Sequence, residues 1–146
     1  MSLDRIRLAS LHNKVISAEE AAKFIKDGMT VGMSGFTRAG EAKAVPLALV
    51  EQAKNNPLKI TLITGASLGN DLDKKLTETG VLARRLPFQV DNTLRKAINK
   101  GEVMFIDQHL SETVEQMRNG QLKKTELAII EAVAITEDGG IIPTTS

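Results

Sequence analysis

Glycine, serine and histidine spacing decides which chemistry is open to this 146-residue chain. Gly35 and Gly40 bracket Phe36-Thr37-Arg38-Ala39, directly after the apolar run Met29 to Ser34. Glycine takes positive φ and lets a bound molecule approach the main chain. Gly-x4-Gly is also the spacing of a phosphate-binding loop, but that loop continues with Lys and Ser or Thr. Here Glu41 and Ala42 follow, and a carboxylate repels phosphate. Gly32, Gly35 and Gly40 also miss the Gly-x-Gly-x-x-Gly spacing of a dinucleotide site. Two readings remain: a plain strand-to-helix turn, or a turn that presents its backbone to a ligand.

A second loop of small residues, Thr64-Gly65-Ala66-Ser67, follows another apolar run. Ser67 offers one hydroxyl as donor and acceptor. A nucleophilic serine needs a positioned base, and the only histidines are His12 and His109. His12 sits in a polar amino-terminal segment. His109 follows Asp107-Gln108, a spacing that suggests a dyad, yet both histidines read as ordinary polar residues. Cysteine is absent, which removes disulfides, thiolate metal sites and a Cys nucleophile. Asp71-x-Asp73 and Glu19-Glu20 lack a His or Cys at ligand spacing. They read as first-turn helix charges on solvated faces. Arg84-Arg85 reads as a solvated or salt-bridged edge. No catalytic residue and no metal ligand is therefore assigned.

Alternating elements position these loops. Ser17-Ala18-Glu19-Glu20 has the form of a capping box, and Gly28 stands where that helix should end. Met29–Ser34 reads as a buried strand. A helix follows from Val45 to about Asn55, with Pro46 near its start. Leu58–Ile63 is the next strand, rich in β-branched residues. A short helix from Asp71 to about Thr77 stops at Gly80. Val81–Leu86 is a strand, Asp91 caps a helix to Lys100, and Val103–Ile106 is a short strand. Ser111 is expected to cap the helix Glu112–Arg118. Leu127–Ile135, the most apolar run, reads as one central strand, and Glu137-Asp138-Gly139-Gly140 as a hairpin turn leading into Ile141-Ile142. Short strands alternating with helices of this length imply an α/β fold: an open, mainly parallel sheet with helices on both faces. Ligands bind such sheets beyond the carboxyl ends of the strands. Gly35, Phe36, Thr37 and Ser67 are expected to cluster there.

Composition narrows the function classes. The length suits one domain, with 42% hydrophobic and 25% charged residues. A net charge of +1 supplies no basic field for nucleic acid. Four Phe with no Tyr or Trp leave few platforms for base stacking. No apolar run approaches the ~18 residues of a membrane span, and no signal-peptide core is present. A cytoplasmic location is compatible with these features.

The loop and its surroundings resemble a known family. Class I coenzyme A transferases carry Asp-Gly, three apolar residues, Gly-Gly-Phe and a further Gly before Pro. Asp27, Gly28, Val31, Met33, Gly35, Phe36 and Gly40 match that pattern. Gly32, Ser34 and Ala42 depart from it, and the departures fit the acetyl-CoA hydrolase/transferase branch, which has Ser-Gly-Phe-Thr here. Thr64 to Ser67, Pro87-Phe88, Thr93 to Gly101, Asp107 to Leu110 and Ile135 to Thr144 also look like that branch, in order. The resemblance implies the amino-terminal domain, here 1–146, of a longer two-domain enzyme. It implies CoA transfer between a short acyl-CoA and acetate, propionate or succinate, with hydrolysis as a variant. CoA enters as a substrate, and no permanently bound cofactor is expected. It further implies a carboxylate-facing role for Ser67, and a pocket position for Val90, where family members can carry threonine. The family's catalytic glutamate belongs to the carboxy-terminal half, so neither Glu41 nor Glu131 is given that role. A homodimer is expected of the intact enzyme. The alternative is a non-catalytic Rossmann-like module that binds a small acid or phosphate.

Overall fold

The computed structural model describes residues 3–66, 68, 69 and 71–144. Its main sheet has five strands: β1 (Thr30–Met33), β2 (Ile60–Ile63), β3 (Leu82–Leu86), β4 (Met104–Phe105) and β5 (Leu127–Ile129). Their order is β4-β3-β2-β1-β5, and every pairing is parallel. α1 (Ala18–Ala22) precedes β1, and α2 (Ala44–Asn55), α3 (Leu72–Glu78), α4 (Asn92–Asn99) and α5 (Leu110–Arg118) follow β1 to β4 in turn. A separate antiparallel hairpin, β6 (Ala132–Ile135) with β7 (Ile141–Pro143), follows β5. The architecture is the expected α/β one.

Strand alternation sets the core. Val31 and Met33 of β1 and Ile60 and Leu62 of β2 are buried in one cluster with Leu49 and Val50 of α2, Leu72 and Leu76 of α3, and Leu94 of α4. Removing that apolar surface from water is the main force holding helices to sheet. The chain steps from β1 to β4 in one direction, so right-handed crossovers place α2, α3 and α4 on one face. The return from β4 to β5 runs the other way and crosses the opposite face. Leu122 and Lys123 of that return meet Thr61, Ile63, Arg84 and Leu86 around a small cavity of about 20 Å³.

Local chemistry fixes the ends. The capping box forms: Ser17 N donates to Glu20 Oε2 at 2.9 Å, and Glu20 N to Ser17 Oγ at 3.1 Å. Asp91 caps α4 through Leu94 N at 2.8 Å. Four expectations are corrected. The first helix ends at Ala22, and Gly28 does not close it. Gly28 N donates instead to Lys59 O at 2.7 Å, drawn into the approach to β2. The cap of α5 is His109, whose Nδ1 accepts from Ser111 N. The run Leu127–Ile135 is not one central strand. Ser34 Oγ accepts from Glu131 N at 2.9 Å, and the break at Ile130-Glu131 leaves β5 at the sheet edge and sends β6 into the hairpin. Finally, Arg85 and Asp73 occupy neither an edge nor a solvated face. They form an ion pair with side chains 0% and 1% exposed.

Candidate functional site

The candidate site lies beyond the carboxyl ends of β1 and β2. Gly35 has φ 148° and Gly40 has φ 60°, so both glycines of the first loop take the conformation their spacing suggested. Between them Phe36 and Ala39 exchange backbone hydrogen bonds of 2.9 and 3.0 Å. Thr37 sits at φ 58°, which is unfavourable for a β-branched residue. Strain of this kind concentrates where surrounding structure over-determines the backbone. Ser34 closes the base of the loop by donating from Oγ to Gly40 O at 2.7 Å.

The second loop packs against the first, main chain to main chain. Thr37 and Leu68 form a parallel bridge. A Cβ on Gly65 would stand 2.5 Å from Gly35 O, and a Cβ on Gly69 would stand 2.5 Å from Thr37 O. No side chain fits at either point. Beside this contact lies a cavity of about 270 Å³, lined by Thr37, Arg38, Leu68, Gly69, Lys74, Val90 and the start of α4. Leu68 and Val90 give it an apolar side, and its charged lining is mixed, with Arg38 and Lys74 beside Asp71, Asp73 and Asp91.

The sequence-assigned residues divide as follows. Thr37 and Val90 line the cavity together. Gly35 is buried at the root of the loop, and Phe36 projects with 54% of its surface exposed; neither lines the cavity. Ser67 lies outside the described residues. His12 Nε2 bonds to Ile6 O and His109 Nδ1 to Ser111 Oγ, each at 2.6 Å, and neither lines the cavity.

Three buried charges escaped sequence reasoning. Arg85 Nε meets Asp73 Oδ1 at 2.9 Å, and Arg85 Nη2 meets Asp73 Oδ2 at 3.2 Å. Arg85 Nη1 also donates to Leu86 O at 2.6 Å, while Asp73 Oδ2 accepts from Leu68 N at 3.3 Å. The available signal was an arginine at a strand position whose face is otherwise apolar. The third charge is Glu41, fully buried, with no partner for either carboxylate oxygen among the described residues. It fills the space between the loops, its Oε2 2.7 Å from the Cβ position of Gly69. Nothing in the spacing of Glu41 marks it as buried.

The strand order reverses between β1 and β5, a topological switch point where open sheets form crevices. A second cavity of about 440 Å³ lies there, bordered by Glu41, Lys43, Ile129, Ile130 and Glu131. Lys43 Nζ pairs with Glu131 Oε1 at 3.0 Å across it. At the start of β1, Thr30 N donates to Glu126 Oε2 at 2.9 Å. That bond, aided by Lys123 and opposed by partial desolvation, holds the Glu126 carboxyl below the usual glutamate range.

Known proteins resemble this chain. The family model described as the acetyl-CoA hydrolase/transferase N-terminal domain matches residues 2–146. A succinyl-CoA:acetate CoA-transferase of Clostridium kluyveri is 44% identical over 143 residues, 97% of this chain and 27% of that protein. An acetyl-CoA hydrolase of Kluyveromyces lactis is 39% identical over 96% of this chain and 29% of its own length. A propanoyl-CoA:succinate CoA transferase of Escherichia coli is 38% identical over 86% and 27%. The chain thus spans between a quarter and a third of these relatives. Among solved structures, a variant of the decarboxylase AibA/AibB shares the fold, with a TM-score of 0.57 and 21% identity over 75% of this chain and 44% of that one. Family match and curated relatives agree along nearly the whole chain, which therefore belongs to the acetyl-CoA hydrolase/transferase family of enzymes.

Proposed function

We propose that this chain is the amino-terminal domain of a longer two-domain enzyme and forms one wall of its acyl site. The enzyme moves CoA between a short acyl-CoA and a small carboxylate such as acetate, propionate or succinate. Hydrolysis is the variant in which water intercepts an intermediate. The observation that carries this reading is the interlock of the Gly35–Gly40 loop with the loop after β2, with Thr37 and Val90 on one cavity. The names of the relatives supply the substrate class. In this reading the nucleophile is a glutamate outside residues 1–146, which attacks the thioester and carries CoA. Ser67 offers its hydroxyl to the acid, and Val90 makes the pocket more apolar than a threonine would. The intact enzyme acts in the cytoplasm as a homodimer.

The test is CoA transfer from succinyl-CoA to acetate. Residues 1–146 alone should be silent, because loss of the activated nucleophile removes many powers of ten in rate. The full-length protein should turn over. In it, Ser67→Ala should weaken use of the acid by roughly tenfold or more, as expected for one hydrogen bond to a charged group, and leave CoA binding near wild type. Robust turnover by the short chain after repurification would overturn the placement of the nucleophile. Acid binding without any transfer by the full-length protein would favour the non-catalytic module.

A further inference from the structure

We propose that the buried Asp73–Arg85 pair is the positioning device of the acyl pocket. The inference rests on the acyl-site reading above for its functional half and on geometry alone for its structural half. Three loops meet at the pocket, following β1, β2 and β3. One ion pair touches two of them directly and the third through a single step. Arg85 stands near the end of β3, and its Nη1 holds Leu86 O at 2.6 Å, where the third loop begins. Asp73 grips the arginine through both oxygens, at 2.9 and 3.2 Å, and takes the Leu68 amide of the second loop at 3.3 Å. Leu68 is bridged to Thr37 of the first loop. Thr37, Leu68, Asp73 and Val90 all line the same cavity.

Stability alone does not account for such a pair. Two charges with 0% and 1% exposure have given up their hydration. A well-packed apolar pair of similar volume commonly does as well or better for folding. An apolar pair, however, cannot accept the Leu68 amide or hold the Leu86 carbonyl. Directional bonds fix loop position, whereas apolar contact does not. Asp73 and Arg85 are thus positioning residues: they hold Leu68 and Leu86 directly and Thr37 through Leu68, and Asp73, which borders the cavity, commits both carboxylate oxygens to Arg85 and the Leu68 amide.

Two readouts test this on three proteins: wild type, Asp73→Asn, and the apolar pair Asp73→Leu with Arg85→Met. The first is hydrogen exchange of the 146-residue chain. In the apolar pair the amides of β1 and β2 should keep wild-type protection, while the Leu68 amide exchanges at least roughly tenfold faster, as a local opening does. The second is kinetics of the full-length enzyme. KM for the acid should rise roughly tenfold, the scale of one charged hydrogen bond, and by a larger factor than kcat falls. If the apolar pair does not fold, Asp73→Asn is read in the same way, loop against core. Wild-type protection at Leu68 over an intact core, or an acid KM restored by the apolar pair, would reduce the ion pair to a packing element and overturn the proposal. Should the full-length protein show no CoA transfer, the acyl-site reading falls, and the exchange experiment alone decides whether the pair positions the loops.

Discussion

At the scale of single residues, the site is defined by what cannot be larger and by what has no partner among the described residues. Gly69 lies against Thr37 O, with a Cβ position only 2.5 Å away, and the buried Glu41 Oε2 and Arg38 Cγ follow at 2.7 and 2.8 Å. Gly69→Ala must therefore push the two loops apart. We expect a loss of about 1–3 kcal/mol, the usual scale of overpacking, measured as a lower urea midpoint at unchanged slope. An unaltered midpoint would show that the loops are not interlocked. Glu41 is the opposite case. A buried carboxylate without hydrogen bonds lowers stability, and both its oxygens lack partners among the described residues. Glu41→Met keeps the length and removes the orphan oxygens, so the chain should gain about 1–3 kcal/mol. A loss on this substitution would mean that Glu41 is satisfied in solution. The two glycines at 35 and 40 were legible from sequence, because a loop after a strand needs positive φ somewhere. The burial of Glu41 and of Asp73 with Arg85 was not, because charge alone does not say which face a side chain occupies.

At the scale of elements, β1 is the hinge of the architecture, since it pairs with β2 on one side and β5 on the other. Its first residue is held by Glu126 through Thr30 N, and Glu126 N donates in turn to Thr30 O at 2.9 Å. The Glu126 carboxyl is held below its ordinary value of 4.5, chiefly by the Thr30 amide. A depressed carboxyl contributes stability fully above its unfolded pKa and loses it as pH falls through the lower folded one. The β1–β5 edge should loosen in acid accordingly. Glu126→Gln keeps an acceptor for Thr30 but does not titrate. The stability gap between wild type and Glu126→Gln should narrow between about pH 6 and about pH 3. A gap independent of pH would remove the linkage. Element identities followed from periodicity, and most ends fell within a residue or two of the expected ones. The error at Leu127–Ile135 has a tertiary cause. Apolar residues run on without interruption there, while the Ser34 hydroxyl captures the Glu131 amide and divides the run in two.

At the scale of the whole molecule, the face of the sheet under α2, α3 and α4 is covered, and the β6–β7 hairpin is not. Ile130, Val133, Ile141 and Ile142 are between 39% and 53% exposed, close together along the chain. Contiguous apolar surface beyond a few hundred Å² marks an interaction surface or an aggregation hazard. The 146-residue chain should therefore self-associate. Sedimentation at several concentrations, with a dye that reports apolar surface, is the check. A strictly monomeric and dye-silent species would show that the hairpin is not adhesive, and would favour the self-contained binding module. Among the described residues no helix is long and apolar enough to cross a membrane.

Sequence by itself determined the class of the fold, because short apolar strands alternating with helices can bury both periodicities only as a layered, mainly parallel sheet. It also determined the family, because several motifs stand in order along the chain. It located the glycine turns, because only certain residues tolerate those backbone angles. Tertiary structure alone decided strand order, the placement of β5 at the edge, the interlock of two distant loops, and the pairing of Asp73 with Arg85. Those facts depend on which segments meet across the sheet. Local sequence constrains the backbone within a few residues, whereas a contact between loops is set by the packing of every element between them.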